Sequence, residues 1–367
     1  MRVAFLLEQA LGPVPGGTGR YAVEVAGALA RRDGVAVDGW VAWHRDTAAA
    51  RVPGVAGPRR LVLPRRPLVV AWERGVGPVP GGRPDVVHAP TLLAPARRGR
   101  PLVVTIHDAV PWTHPETLTP RGVAWHRRMA ERAVRDADAV VVPTRAVGAA
   151  LQEHLPLRRV AVIGEGVSQR AVQVPVDAAE RSARLTLPRE GYLLSLATIE
   201  PRKGLDVLLA ALAEPAAPDL PLLVVGQPGW GGVDVLRAAS ERGLAAGRVR
   251  LLGRVPDEDL AVLLAGSTAL VVPSRAEGFG LPVVEAMTAG TPVVTSADPA
   301  LVEVGGDATR TAPVGDAAAL ARVLAEVAGS PALRAEMVAL GRRRAADFSW
   351  DDAAARLVEL YRGLGAG

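Results

Sequence analysis

The chain has no cysteine, which excludes disulfides and cysteine-ligated metal sites. Aromatic residues are only 4% of its 367 positions, so the core has to be built mainly from Ala, Val and Leu. No segment approaches the uninterrupted apolar length of a membrane span. The opening Met1-Arg2-Val3-Ala4-Phe5-Leu6-Leu7-Glu8 is too short an apolar run for a secretory signal and meets an acid at once. These absences predict a cytoplasmic protein, at most resting on a membrane surface. Basic residues do not form a long run interleaved with aromatics, which argues against nucleic acid as a partner.

What is present is ample. Hydrophobic residues make up 49% of the sequence, enough for a sizeable core, and the length suggests two domains. The formal net charge is +5 and the sequence pI is near 10.4, with Arg far ahead of Lys. Such a balance suits polyphosphates or anionic lipid.

Short apolar runs alternate with segments of helical spacing along the whole chain. Arg2–Leu7, Val35–Val41, Arg60–Leu63, Asp85–His88, Leu102–Asp108, Ala139–Val142 and Val160–Ile163 read as a first set of strands. Tyr192–Leu196, Leu222–Val225, Val249–Leu252, Leu270–Val272 and Pro292–Thr295 read as a second. Strand-helix alternation predicts parallel sheets covered on both faces. The fold class is therefore α/β, with two doubly wound Rossmann-like domains over 1–170 and 189–348. Residues 171–188, weak in periodicity, read as a linker, and 64–83, rich in Pro, Gly and Arg, as an irregular surface segment. Ligands of such sheets bind beyond the carboxyl ends of the strands, so two facing halves place the site in the cleft between them.

Four strand-end segments carry polar chemistry. Gly16-Gly17-Thr18-Gly19 lies in a loop after the first strand. Read from Gly17 it is also Gly-x-Gly-x-x-Ala, with Asp38 near the distance of a dinucleotide-binding acid. A backbone cradle for phosphate, a flexible glycine loop and an NAD(P) turn all remain open there. Thr105-Ile106-His107-Asp108 ends a buried strand, and His107 is placed to touch a substrate hydroxyl or share a proton with Asp108. Glu200-Pro201-Arg202-Lys203-Gly204 sets paired cations after another strand, suited to a diphosphate. Glu277-Gly278-Phe279-Gly280-Leu281-Pro282, followed by Glu285, hands a strand over to a helix, where backbone N–H groups and the dipole favour phosphate. Asp136-Ala137-Asp138 spells a metal-binding Asp-x-Asp, but it joins a helix to a strand and reads as a turn. No catalytic metal is expected.

Taken together, Gly16-Gly17-Thr18-Gly19-Arg20-Tyr21, Thr105-Ile106-His107-Asp108, Glu200-Pro201-Arg202-Lys203-Gly204, the Glu277 to Glu285 segment and Phe348-Ser349-Trp350 resemble the retaining family 4 (group 1) glycosyltransferases of GT-B architecture. The motifs span nearly the whole chain in family order. The resemblance implies that Lys203 with Arg202 holds a donor diphosphate and that Glu285 binds the nucleoside ribose. It implies that Glu277 and the amides of Gly278, Phe279, Gly280 and Leu281 hold the donor sugar and phosphate. Gly16 and Gly17 would approach the diphosphate, His107 would lie near the transferred sugar, and a last helix over 349–363 would cross back onto the first domain. In this reading His107, Lys203 and Glu277 are the catalytic residues, and no cofactor beyond the nucleotide-sugar donor is needed. The acceptor is a hydroxyl of a glycan, a lipid-linked sugar or a small molecule. The wording around His107 and Lys203 is similar to mannosyltransferases. Where the family carries Pro-Asn-Gly-Val-Asp, this chain has Gly164-Glu165-Gly166-Val167-Ser168. An NAD(P)-binding oxidoreductase and a glycosyltransferase-like scaffold without activity are the competing readings. The basic helix 121–135 and the 64–83 segment suggest contact with an anionic membrane.

Overall fold

Four-residue runs such as Leu222-Leu-Val-Val225 and Ala269-Leu-Val-Val272 have no polar face to offer water, so they are stable only when covered on both sides. The computed structural model describes residues 1–366 and places them in that way, in two units of the chain. The first unit comprises Met1–Gly166 and the stretch from Ser349 onward, and the second comprises Val167–Phe348.

The first unit holds a seven-stranded sheet: β1 (Arg2–Leu6), β2 (Ala36–Trp43), β3 (Ala56–Pro64), β4 (Val86–Ala89), β5 (Leu102–Thr105), β6 (Ala139–Val142) and β7 (Val160–Val162). The spatial order is β3-β2-β1-β4-β5-β6-β7, with every pairing parallel. The second unit holds β8 (Leu193–Leu196), β9 (Leu222–Val225), β10 (Val249–Gly253), β11 (Ala269–Val272), β12 (Val293–Ser296) and β13 (Thr309–Ala312). Its order, β10-β9-β8-β11-β12-β13, repeats the same winding. Connections leave in opposite directions between β1 and β4, and again between β8 and β11. These are the topological switch points, where the loops at the strand ends diverge and leave room for a ligand.

Several elements differ from the sequence reading. The glycines at 16, 17 and 19 are not in a loop: they form the first turn of the helix Gly16–Ala30, preceded by a short 3-10 turn over Glu8–Leu11. The segment expected to be irregular contains the helix Arg65–Glu73. Pro67 falls in its first turn, where a missing N–H costs nothing, and Leu68 and Trp72 bury one face at the four-residue spacing. Within 171–188 the helix Ala178–Arg184 forms although none of its residues is buried. It is fastened to the second unit by Arg181 and Arg184, both at 2.7 Å from one carboxylate oxygen of the buried Asp259.

The last helix, Trp350–Gly363, packs on Gly16–Ala30 within the first unit and buries Trp350, Ala354, Leu357 and Tyr361. Ser349 caps it by accepting from the Asp352 N–H at 2.9 Å. Gly166 runs so close to its start that a Cβ there would sit 2.2 Å from the Trp350 nitrogen, so only glycine fits. Among the described residues, no helix is long and apolar enough to cross a membrane.

Candidate active site

β8 and β11 are neighbours in register, Leu194 opposite Leu270, so the turns that follow them emerge side by side. The chain leaving β8 runs through Glu200, makes a 3-10 turn over Pro201–Lys203 and turns at Gly204 with φ 65°. A Cβ on Gly204 would lie 2.1 Å from the Pro273 carbonyl oxygen. Glycine is required there twice, by its left-handed backbone and by that contact. The Arg275 N–H then donates to the Arg202 carbonyl at 2.8 Å, locking the two turns together. A parallel stitch holds the other side: the Ile199 N–H donates to Gln227 O and the Gly229 N–H to Ile199 O, at 2.9 and 3.0 Å.

This junction brings Lys203 onto Glu277 across 74 positions of sequence, with the ammonium 2.6 Å from Oε1. Ser274 donates its hydroxyl to the same oxygen at 2.7 Å, and Arg202 Nη1 meets Oε2 at 3.0 Å. Burial raises the cost of ionising Glu277, but the charges of Lys203 and Arg202 outweigh it and hold the carboxyl down to about 2. Glu277 is therefore a fixed anion between two cations. Arg202 is placed differently from a phosphate ligand. Its Nε and Nη2 donate to Glu200 at 3.2 and 2.8 Å, and Nη1 also reaches the Ala276 carbonyl at 2.9 Å. It braces Glu277 from within the protein. Lys203 gives one of its three donors to Glu277. Beneath them, Arg275 makes a two-pronged pair with Asp206 at 2.8 and 2.6 Å.

The helix Leu281–Ala289 starts immediately after, at Gly280, with no side-chain cap and with Pro282 in its first turn. Its positive dipole end thus begins three residues after Glu277 in the chain. The Phe279 side chain is buried edge-on against Phe348, with centroids 5.4 Å apart, and Leu281 is buried too. Both can offer a ligand only their backbone. Glu285 lies one turn into the helix and is 3% exposed. Two signals for this site were open to the sequence and missed. Lys203 is the only lysine in a chain otherwise supplied entirely with arginine, and Glu200 and Ser274 are polar residues at the same two strand ends.

In the first unit, His107 follows β5 with both ring nitrogens engaged. Nε2 is 2.8 Å from the Pro90 carbonyl and Nδ1 is 3.4 Å from Glu165 Oε1. Asp108 does not share its proton; it accepts from the Val110 N–H at 3.1 Å and opens the short helix Val110–Thr113. His88 is a fully buried structural residue. It is bonded to the Tyr361 hydroxyl at 2.5 Å and to Thr105 at 2.9 Å, and burial together with the His107 charge depresses it to about 3. Asp136 pairs with Arg132 and Arg135, while Asp138 receives Arg97 and the Leu102 N–H. The Asp-x-Asp is a turn whose carboxylates already have partners.

The dinucleotide reading fails on geometry. Asp38 is opposite Ala4, two residues into β2 and far from its carboxyl end, and it is ion-paired with Arg2 and Arg59 at 3.0 Å each. A ribose-binding acid belongs at the strand end.

Two family profiles cover the chain: "Glycosyltransferase Family 4" over residues 15–170 and "Glycosyl transferases group 1" over 177–344. The O-antigen chain mannosyltransferase B of Escherichia coli is 29% identical over 99% of this chain and 100% of its own length. A D-inositol 3-phosphate glycosyltransferase of a Nocardioides species is 32% identical over 95% of this chain and 85% of its own. The fold matches that of sucrose-phosphate synthase from Thermosynechococcus elongatus with a TM-score of 0.81 at 23% identity, covering 100% of this chain and 99% of that one. Relatives that move sugars favour neither the oxidoreductase nor the inactive-scaffold reading: the chain belongs to the family 4 (group 1) glycosyltransferases, enzymes of GT-B architecture.

Proposed function

We propose that the enzyme moves a hexosyl group from a nucleoside diphosphate sugar to a hydroxyl acceptor, with retention at the anomeric carbon and without a metal ion. The observation that carries this reading is the Lys203 ammonium held on the ionised Glu277 at the start of the Leu281–Ala289 helix. A diphosphate leaving group accumulates negative charge as the bond to the sugar breaks. A positioned ammonium and a helix N-terminus stabilise that charge without reorganising. The acceptor oxygen attacks the anomeric carbon on the face the diphosphate leaves. The new carbon–oxygen bond forms as the old one breaks, and the acceptor proton passes to the departing diphosphate oxygen. Glu277, fixed by Lys203, Arg202 and Ser274, holds sugar hydroxyls, and Glu285 the ribose. The roles of Gly16, Gly17 and His107 toward the donor rest on the family resemblance.

Mannose is the first sugar to test, because mannosyltransferases stand among the relatives of the chain. The acceptor is a glycan, a lipid-linked sugar or a small molecule. A cytoplasmic enzyme working at an anionic membrane face would use the Arg65–Glu73 helix, where Arg66 and Arg74 flank the exposed Val70. The decisive experiment is a thermal-shift panel of nucleotide sugars that includes GDP-mannose, run with and without EDTA. One donor should stabilise the protein by about 2.7 kcal/mol at a hundredfold excess over its Kd, with no effect of EDTA, and Lys203→Ala should abolish the shift. Stabilisation by no nucleotide sugar, or only with added divalent metal, would overturn the reading.

A further inference from the structure

His107 sits where three strand-end segments of the first unit meet. Its own segment follows β5, Pro90 follows β4, and Glu165 follows β7. A carbonyl oxygen can only accept, so the 2.8 Å contact with Pro90 fixes a proton on Nε2. Nδ1 then faces the carboxylate of Glu165 at 3.4 Å, in a site where the two side chains are 14% and 6% exposed. With an acceptor on each side, the ring is set up to donate twice. The Tyr21 ring lies edge-on to it at 4.7 Å and offers no competing charge. Asp108, next in the chain, adds a second anion, and His88, the nearby imidazole, is kept neutral by burial. Glu165 itself is pinned: the next residue, Gly166, has no clearance from Trp350 at the start of the last helix.

We infer that Glu165 is a positioning residue of the transfer reaction: it keeps His107 as a buried imidazolium that ties the ends of β4, β5 and β7 into one rigid surface. A charged carboxylate stands here where the family pattern has a neutral amide, so the pairing belongs to this chain's own sequence. With both nitrogens committed, His107 neither takes nor gives a proton during transfer; it fixes the backbone of its own strand end. This inference rests on the proposed reaction for its kinetic consequence but not for its chemical basis. Burial alone would favour the neutral ring, and the hydrogen bond and charge of Glu165 reverse that, leaving His107 titrating above the ordinary imidazole value.

The test is an NMR titration of the full chain carrying ring-labelled histidine, with the His107 signal assigned through His107→Gln. The wild type should show it protonated at pH 7. In Glu165→Gln its midpoint should fall by about one unit or more, since an opposite charge at this range is worth one to three, and Glu165→Asp should keep it high. In parallel, the pH profile of kcat should lose its alkaline limb earlier in Glu165→Gln than in the wild type, with donor KM unchanged. A His107 that titrates at or below the ordinary imidazole value in the wild type overturns the pairing without requiring any variant to be stable. A midpoint that falls in Glu165→Gln while the kcat profile stays fixed overturns the positioning role. Absence of sugar transfer by the wild type would count against the proposed reaction alone, because the titration is read without substrate.

Discussion

Lys203 carries the only side-chain ammonium in a protein with 43 basic residues. Lysine presents a compact point charge, whereas arginine presents a planar fork that spreads it. Position 203 has room for the first: Nζ is 2.6 Å from Glu277 and the side chain is 16% exposed. Lys203→Arg should therefore lower kcat by about 100-fold with little change in Tm, measured by steady-state transfer and calorimetry, and an active Lys203→Arg enzyme would show that charge alone suffices. Glu277 makes a pH prediction of definite sign. Its carboxyl is depressed from 4.5 to about 2. The stability it contributes is thus present above pH 4.5 and is lost as pH falls toward 2, amounting to about 3 kcal/mol at 1.36 kcal/mol per unit. Acid unfolding of Glu277→Gln should begin from a lower plateau and lack that part of the slope between pH 4.5 and 2. His107 has the opposite sign. Its folded pKa is raised, so its contribution is full below the ordinary imidazole value and fades as pH rises through the folded one.

At the level of elements, the turns after β8 and β11 act as one piece because backbone bonds and ion pairs cross between them. Gly204→Ala should be far more damaging than its size suggests, since both the 65° φ and the Pro273 carbonyl oppose a methyl group. We expect donor-dependent stabilisation to disappear with a Tm loss of several degrees, read in the same thermal-shift assay. The Ala178–Arg184 helix shows a different principle. It buries no residue of its own and is held by side chains: Asp259, 1% exposed, receives both Arg181 and Arg184. Both bonds are charge-assisted and converge on a carboxylate that has little access to water. Asp259→Ala should release the helix, seen as fast amide exchange over 178–184 with the β8–β13 sheet still protected.

At the level of the whole molecule, the last helix is part of the first unit although 182 residues of the second unit, Val167–Phe348, separate them in sequence. It covers the Gly16–Ala30 helix and sends the Tyr361 hydroxyl to the buried His88. Each large side chain it buries, among them Trp350, Leu357, Val358 and Tyr361, contributes about 1.5–3 kcal/mol, together comparable to the whole margin of a domain. Ending the chain after Phe348 should unfold the first unit and spare the second. Hydrogen exchange by mass spectrometry would show protection lost over 1–166 and kept over 167–348; protection retained over 1–166 would mean the helix is dispensable.

The alternation of buried strands and helices was legible along the chain, because a run apolar on both faces has no stable place except inside a covered parallel sheet. Lys203, Glu277 and Glu285 were legible as a motif, since each stands at a fixed offset from a strand-to-helix turn. The helix Arg65–Glu73 was not, because its proline and arginines mask a stripe of only two buried residues, Leu68 and Trp72. Nor was the start of the helix at Gly16, where glycine gives no local preference for helix. The partners of the site residues lay wholly beyond the sequence. That Arg202 braces Glu277 instead of standing open, and that Glu165 answers His107, depends on which strands are neighbours in the sheet. The linear sequence determined what chemistry each strand end carries. Only the tertiary structure decided which of those ends touch, because ion pairs and hydrogen bonds act over a few ångströms of space whatever the separation along the chain.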